Sequence, residues 1–477
     1  MSGTLRDSYP RQASRNLQDA LLVQVNILAN SIPRAAILAM LVVLVAVEVY
    51  LVSNLKLGTG LAVAAVPFLA IGALFLIYHF EYSPIIILLT AAFVPFYLPT
   101  GTGSPLVASL MLSIGLVAMW VLKMMAADKR IVLKPSLFNL PALGFMVVTV
   151  VSLVWSNIFR DPIVYVPPTF ILVQVASAAV MIVSPAVALL AGNLVERERL
   201  LKAMVGIMLV VGVIGLAENF FNLNLDTVIG GLTSLWVVAL ATSLALFNKN
   251  IRKPWKVFLL VLTLAWFVWN LVLNINWYAG WLPGLVAVGV IAFIRSKRLF
   301  LGLLVVLVAY TIINYNAISA NVVFKQSNDG DTRLAAWNVN WAVTSQHLLL
   351  GTGPAGYAVY YMTLTPNTAM ATHNNYIDII SETGVVGTVF YLWLFGTLVW
   401  LGWKVVRRLR YTGNFREALA IGLFAGVIGC IVIMAFGDWL LPFAYTQTIA
   451  GFNYTVYSWL FIGALLALEQ MTAATPQ

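Results

Sequence analysis

The sequence predicts an all-α polytopic membrane protein with about 12 to 14 transmembrane helices and one long outer loop that carries amphipathic helices. Three observations predict it. Of the 477 residues, 61% are hydrophobic and only 9% are charged, and the mean hydropathy is +0.94, more than a water-soluble domain can solvate. Apolar runs long enough to cross about 30 Å of hydrocarbon recur along almost the whole length. The basic residues fall in alternate loops between those runs, as the positive-inside rule requires.

Residues 1–34 read as a cytoplasmic segment. Within it Leu17, Ala20, Leu21, Val25 and Leu28 have helical spacing, which predicts an amphipathic helix on the membrane surface. The layout is not that of a cleaved signal peptide. Transmembrane helices then occupy 35–318, with candidate spans near 35–53, 58–78, 84–98, 106–125, 137–156, 170–191, 200–217, 229–247, 255–274, 277–294 and 299–318. Residues 319–383 form a large extracytoplasmic loop. The C-terminal transmembrane helices, within 384–477, are expected near 384–403, 419–440 and 450–468. The third span is short, and the ninth and tenth are nearly continuous. Cys430, the one cysteine, sits in an apolar run and reads as a small buried hydrophobe.

A formal charge of +10 would suggest nucleic acid for a soluble protein. Here the cations flank membrane spans, so lipid is the expected partner and nucleic acid is not. With both termini cytoplasmic, every basic group alternates onto the inner side except Lys56, Arg160, Lys325 and Arg333. A cation on the translocated side is kept only where stability or function requires it.

Arg333 and Lys325 share the long loop with His373. After a polar turn, "TRLAAWNVNWAVTSQHLLLG" sets Leu334, Trp337, Trp341, Thr344 and Leu348 at spacings of three and four, an amphipathic helix that Asp331 or Thr332 can cap. Its tryptophans read as packing or interfacial anchors rather than a sugar platform. "GTGPAGY" then breaks the helix, its glycines serving a tight turn rather than phosphate binding. Helical periodicity resumes at Tyr376, so His373 stands just before a helix that Asn374 or Asn375 can cap, an arrangement that suits an anion. His347 and His79 read as structural. Asp329 and Asp331 are the one D-x-D of the outer loops, and they sit in a polar turn, so neither a metal nor another cofactor is expected.

The strings "TRLAAWNVNWAVTSQHLLLGTGPAGY" and "HNNYIDIISETGVVGTVFYLWLF" resemble the signature region of the O-antigen ligase and polymerase superfamily. There an Arg and a Trp-bearing helix lead to a G-x-G-P turn, and H-N-x-Y opens a membrane helix. Arg333, Gly351, Gly353, Pro354, Tyr357, His373, Asn374, Tyr376, Glu382, Gly384 and Gly387 occupy the matching places. "NINWYAGWLPG" is similar to a further family element, with Tyr278 where an arginine would stand. Arg160 or Lys325 could supply that missing cation.

The resemblance implies an enzyme of the bacterial cytoplasmic membrane. It would move a glycan from a polyprenyl (undecaprenyl) pyrophosphate donor to a hydroxyl of a lipid, glycan or protein acceptor, on the outer face and without a metal. In that reading His373 is the base and Arg333 steadies the pyrophosphate, while Arg160, Lys325, Tyr278, Asn374 and Tyr357 contact substrate. Glu382 orients His373 or is structural, and the helical distance between them favours the structural role. A polysaccharide polymerase of the same superfamily is the neighbouring alternative. A flippase or secondary transporter is a more distant one; Glu48 and Asp438 inside predicted spans speak for it, and the long ordered loop against it.

Overall fold

The computed structural model describes residues 79–98, 105–126, 129–223, 230–274, 278–316, 331–364, 372–444 and 449–473, with backbone alone at 278–279 and 331–335. The expected spans 35–53 and 58–78, the surface helix, Lys56 and Lys325 lie outside the described residues. The chain divides into two compact units, 1–83 with 118–132, and 84–117 with 133–477. In the first, a 3-10 turn over Phe80–Tyr82 is closed by the Ser83 hydroxyl donating to the Phe80 carbonyl at 2.7 Å.

Among the described residues the second unit is all-α apart from a two-residue antiparallel ladder, Tyr97–Leu98 with Leu106–Val107. Its helices are α1 (Ser83–Phe93), α2 (Ala108–Ala126), α3 (Asn139–Ile158), α4 (Phe170–Leu194), α5 (Glu198–Phe221), α6 (Thr233–Phe247) and α7 (Lys253–Phe267). They continue as α8 (Tyr278–Arg295), α9 (Lys297–Ile313), α10 (Asp331–Thr344), α11 (Gly356–Leu364), α12 (Asn375–Leu409), α13 (Phe415–Ile433) and α14 (Phe452–Ala473). α1 and α2 each extend into the first unit at one end.

Every expected span that falls on described residues is helical, and eight of these helices are long and apolar enough to cross a membrane. The ends follow local chemistry. α1 stops short because Pro95 biases the residue before it away from helix. α7 runs on through a π-helical turn, Val268–Leu273, toward α8. Asn414 caps α13 by accepting from Glu417 N, and Ser296 caps α9 by accepting from Arg298 N.

Two helices form the interior. α6 is buried on every side from Thr233 to Ala245, and α14 nearly so. Small residues let backbones approach: a Cβ on Gly463 would meet Ala188 and Ala191 of α4, and one on Gly426 would strike Trp236 of α6. α9 buries no residue at all, the signature of a helix that faces lipid.

Two expectations need correction. The span predicted to reach residue 440 ends earlier: α13 stops at Ile433 and a 3-10 turn, Met434–Phe436, follows. Asp438 therefore lies beyond the helix rather than inside it. In α10 the predicted stripe holds only in part: Thr344 is buried as expected, but Ala336, Asn340 and Val343 also face inward whereas Trp341 is 59% exposed. Small residues allow α10 to lie close on its neighbours, and the large indole turns outward, as an interfacial anchor does.

Candidate functional site

α12 is broken one segment in from its start at Asn375. Gly384 has φ 66° and ψ −169° inside the helix, a conformation open essentially to glycine alone. A Cβ there would run into the Leu349 carbonyl, because the strand of backbone before the G-T-G turn lies against the break. Val385 N donates to Leu348 O at 2.7 Å, Thr352 N to Ser381 O at 2.8 Å and Gly353 N to Glu382 O at 2.9 Å. Ser152 of α3 donates toward the Leu350 and Glu382 carbonyls. The carboxylate of Glu382 accepts from Ala355 N at 2.9 Å, so it braces the turn and does not reach His373.

This frame presents the turn 372–374. Asn374 is the cap of α12: its side-chain oxygen accepts from Tyr376 N and Ile377 N, while its amide donates to Ala435 O at 3.1 Å. Those helix N–H groups are thereby satisfied within the chain, so the cap itself takes the place that the sequence suggested for an anion. Thr372 is buried and ties its N–H and hydroxyl to Asp378 Oδ1, at 3.3 Å and 2.6 Å. From the other side Trp337 of α10 donates its indole N–H to Thr372 O at 2.7 Å. Asp378 Oδ2 meets no donor among the described residues.

Between these anchors His373 takes a left-handed backbone, φ 52°, which histidine tolerates better than most residues. Its side chain is 35% exposed, and Nδ1 lies 4.0 Å from Oδ1 of Asp438, whose own side chain is 1% exposed. Asp438 is held in turn. Its Oδ2 accepts from Phe443 N at 3.1 Å, and the segment carrying it is fastened by Asn375, whose amide accepts from Leu440 N at 3.0 Å and donates to Leu441 O at 2.8 Å. Trp459 of α14 donates to Leu440 O as well. The arrangement is an imidazole on a rigid turn, open on one side, with a fixed carboxylate on the other. Such a pair can accept a proton at the ring and stabilise the resulting cation.

Arg333 falls in the first turn of α10, one helical turn ahead of Trp337; its side chain lies outside the described residues. Tyr278 begins α8, and its side chain also lies outside them. Tyr357 is fully buried, and its hydroxyl donates to Ala336 O at 3.0 Å, which commits the phenol to joining α11 with α10. Burial also pushes it upward from its ordinary pKa.

Arg160 belongs to a second polar cluster. Its guanidinium donates to Asn157 Oδ1 at 2.9 Å and to Gln174 Oε1 at 3.2 Å, and stacks 5.2 Å above the Phe170 ring. Partial burial holds it below the usual arginine value. Beside it Asp161 Oδ2 pairs with His347 Nε2 at 3.0 Å, and Asp161 N donates to the Tyr360 hydroxyl, which burial pushes up to about 12. His347 is thus a fastener between the 159–169 loop and the end of α10, in keeping with its structural reading.

Sequence reasoning missed Asp438 as a neighbour of His373, and Asn375 as the clamp on its segment. The dipeptide Gly437-Asp438 with Pro442 close behind was the available signal, since such residues end helices.

A family model described as O-antigen ligase (Wzy_C) matches residues 228–392. The match runs from just before α6 into α12 and includes Arg333, the G-T-G-P turn and His373, which supports the O-antigen ligase superfamily. No curated protein matches the chain.

Proposed function

We propose that this protein transfers a glycan from a polyprenyl pyrophosphate donor to a hydroxyl acceptor at the outer face of the bacterial cytoplasmic membrane, the chemistry being carried by the loop 319–383. The family match supports a ligase- or polymerase-type membrane glycosyltransferase in general. The observation that carries the finer reading is the half-buried imidazole of His373 set against the buried carboxylate of Asp438.

In this mechanism His373 takes the acceptor's hydroxyl proton as the acceptor oxygen attacks the anomeric carbon. The bond from that carbon to the pyrophosphate oxygen breaks, and its electron pair leaves with the polyprenyl pyrophosphate. With Nδ1 turned toward Asp438, Nε2 is the ring nitrogen assigned as base. The 4.0 Å separation is longer than a hydrogen bond, and catalytic pairs of this kind close when the ring becomes charged or substrate binds. Asp438 is a positioning residue.

The leaving group gathers negative charge, so a guanidinium that binds phosphate bidentately suits it, and Arg333 is assigned that role. Arg160 or Lys325 supplies a second cation. Arg160 commits only Nη2 to Asn157 and Gln174, and its Nε and Nη1 donors suit it to this role as much as Lys325. Basic loops and both termini face the cytoplasm in this reading. The transporter alternative loses one of its supports, since Asp438 stands outside α13.

The test is reconstitution of the full chain in proteoliposomes with an undecaprenyl-pyrophosphate-linked oligosaccharide and, in separate samples, lipid, glycan and peptide hydroxyl acceptors. Transfer with release of polyprenyl pyrophosphate supports the assignment, and the acceptor that works separates ligase from polymerase. Movement of the intact donor between leaflets without transfer contradicts it.

A further inference from the structure

The far end of the bundle from His373 carries a groove that the transfer reaction does not use. Lys249 N donates to Gly413 O at 2.8 Å, which puts the α6–α7 turn beside the residues that follow the C-terminus of α12, a full helix away from the imidazole at its other end. Two cavities of about 690 Å³ and about 450 Å³ open there and share Gly206, Leu209, Leu244, Asn250 and Ile251 in their walls. They form one groove.

Its walls divide by chemistry. The deep part is hydrocarbon, from Val210, Val213 and Ile214 of α5 to Phe258 and Leu259 of α7. The mouth is polar, formed by Asn250 and Arg252 on the turn and by Lys202 of α5. Cations outnumber the acid present: Glu198 is shared by Lys202 at 2.8 Å and Arg416 at 2.7 Å. Arg252 forms no ion pair among the described residues and is exposed, and Trp255 at the rim is 61% exposed. Gly206 lines both cavities, and a Cβ on it would meet nothing within 4 Å, so the groove is open at that point.

We propose that this groove binds an anionic phospholipid, one acyl chain against the α5 and α7 walls and the phosphate headgroup at Arg252 and the 248–252 turn. A free phosphate would leave the apolar wall unfilled, whereas a hydrocarbon chain removes it from contact with water. A zwitterionic lipid would fill the wall but gain little from the surplus of cations, since basic pockets between helices select acidic headgroups. Tryptophan at the rim fits the headgroup level. The site is independent of the transfer chemistry and would persist if that assignment failed.

The test places the full chain in phosphatidylcholine nanodiscs with a trace of phosphatidylglycerol carrying a photoactivatable group on one acyl chain, and maps the labelled peptides by mass spectrometry. Label is expected in 206–214 and 255–259. Unlabelled phosphatidylglycerol should compete about five-fold better than phosphatidylcholine, the preference one near-surface cation confers. Arg252→Ala should remove that preference, and Gly206→Trp should remove the label. Arg252→Ala alters an exposed turn and decides the matter even if Gly206→Trp does not fold. Label spread evenly over lipid-facing helices, equal competition by the two lipids, or an unchanged preference in Arg252→Ala would each overturn the proposal.

Discussion

Nδ1 of His373 stands 4.0 Å from Oδ1 of Asp438, and the second oxygen of that carboxylate is occupied by the backbone N–H of Phe443. The carboxylate is thereby oriented before any substrate arrives. Replacing Asp438 by Asn keeps the shape and removes the charge. Turnover is expected to fall about 10²-fold, within the range that general-base catalysis supplies, with donor KM nearly unchanged. The acid limb of the kcat profile should move to lower pH, because the charge that favours an imidazolium is gone. A lower melting temperature with an unshifted pH profile would mean that Asp438 only holds the fold.

Asn375 fixes the Asp438 segment through Leu440 N and Leu441 O while 1% exposed. Asn375→Ala leaves both backbone groups unpaired, at a cost of about 1–3 kcal/mol for each buried group. Thermal unfolding of the purified protein should show the loss. Transfer should drop more steeply than the folded fraction, since the carboxylate is released with its segment.

Gly384→Ala forces a side chain into the Leu349 carbonyl at φ 66°. Strain of about 1–3 kcal/mol comes from the backbone alone, with the clash added, so size-exclusion profiles should lose the monodisperse peak. Gly396→Ala is the contrast, because nothing stands within 4 Å of its added Cβ. That helical site should be neutral or gain up to about 1 kcal/mol. Equal behaviour of the two variants would show that the break in α12 is not required.

The His347–Asp161 pair is a fastener by the same geometry that makes His373 a base: its ring nitrogen is spent at 3.0 Å on a carboxylate that is 41% exposed. His347→Gln should cost no more than about 1 kcal/mol and leave turnover close to native. Turnover in His347→Gln as low as in His373→Gln would move the catalytic assignment to the Arg160 cluster.

The spans were legible because apolar length and alternating basic loops report directly on the membrane. The expected boundary at 384 rested on apolar length alone; the helix begins earlier, at Asn375, and has a glycine-only kink at Gly384 against Leu349. His373 and its cap Asn374 were legible from the placement of polar residues before a helix. Asp438 was not. Hydropathy averages a lone acid into its apolar flanks, and only the early end of α13 frees it to approach a loop that lies 65 positions back in the chain. The inward face of α10 was misread at Trp341, because tryptophan looks like core to a periodicity, whereas Ala336 and Val343 permit the closer contact.

The central claim is tested most directly by single-turnover transfer in proteoliposomes holding equal amounts of folded native protein, His373→Ala and Arg333→Ala. The account predicts that donor still binds His373→Ala with near-native affinity while transfer falls by about 10²–10⁴, and that Arg333→Ala loses both donor affinity and rate. Native transfer rates in both variants would contradict it.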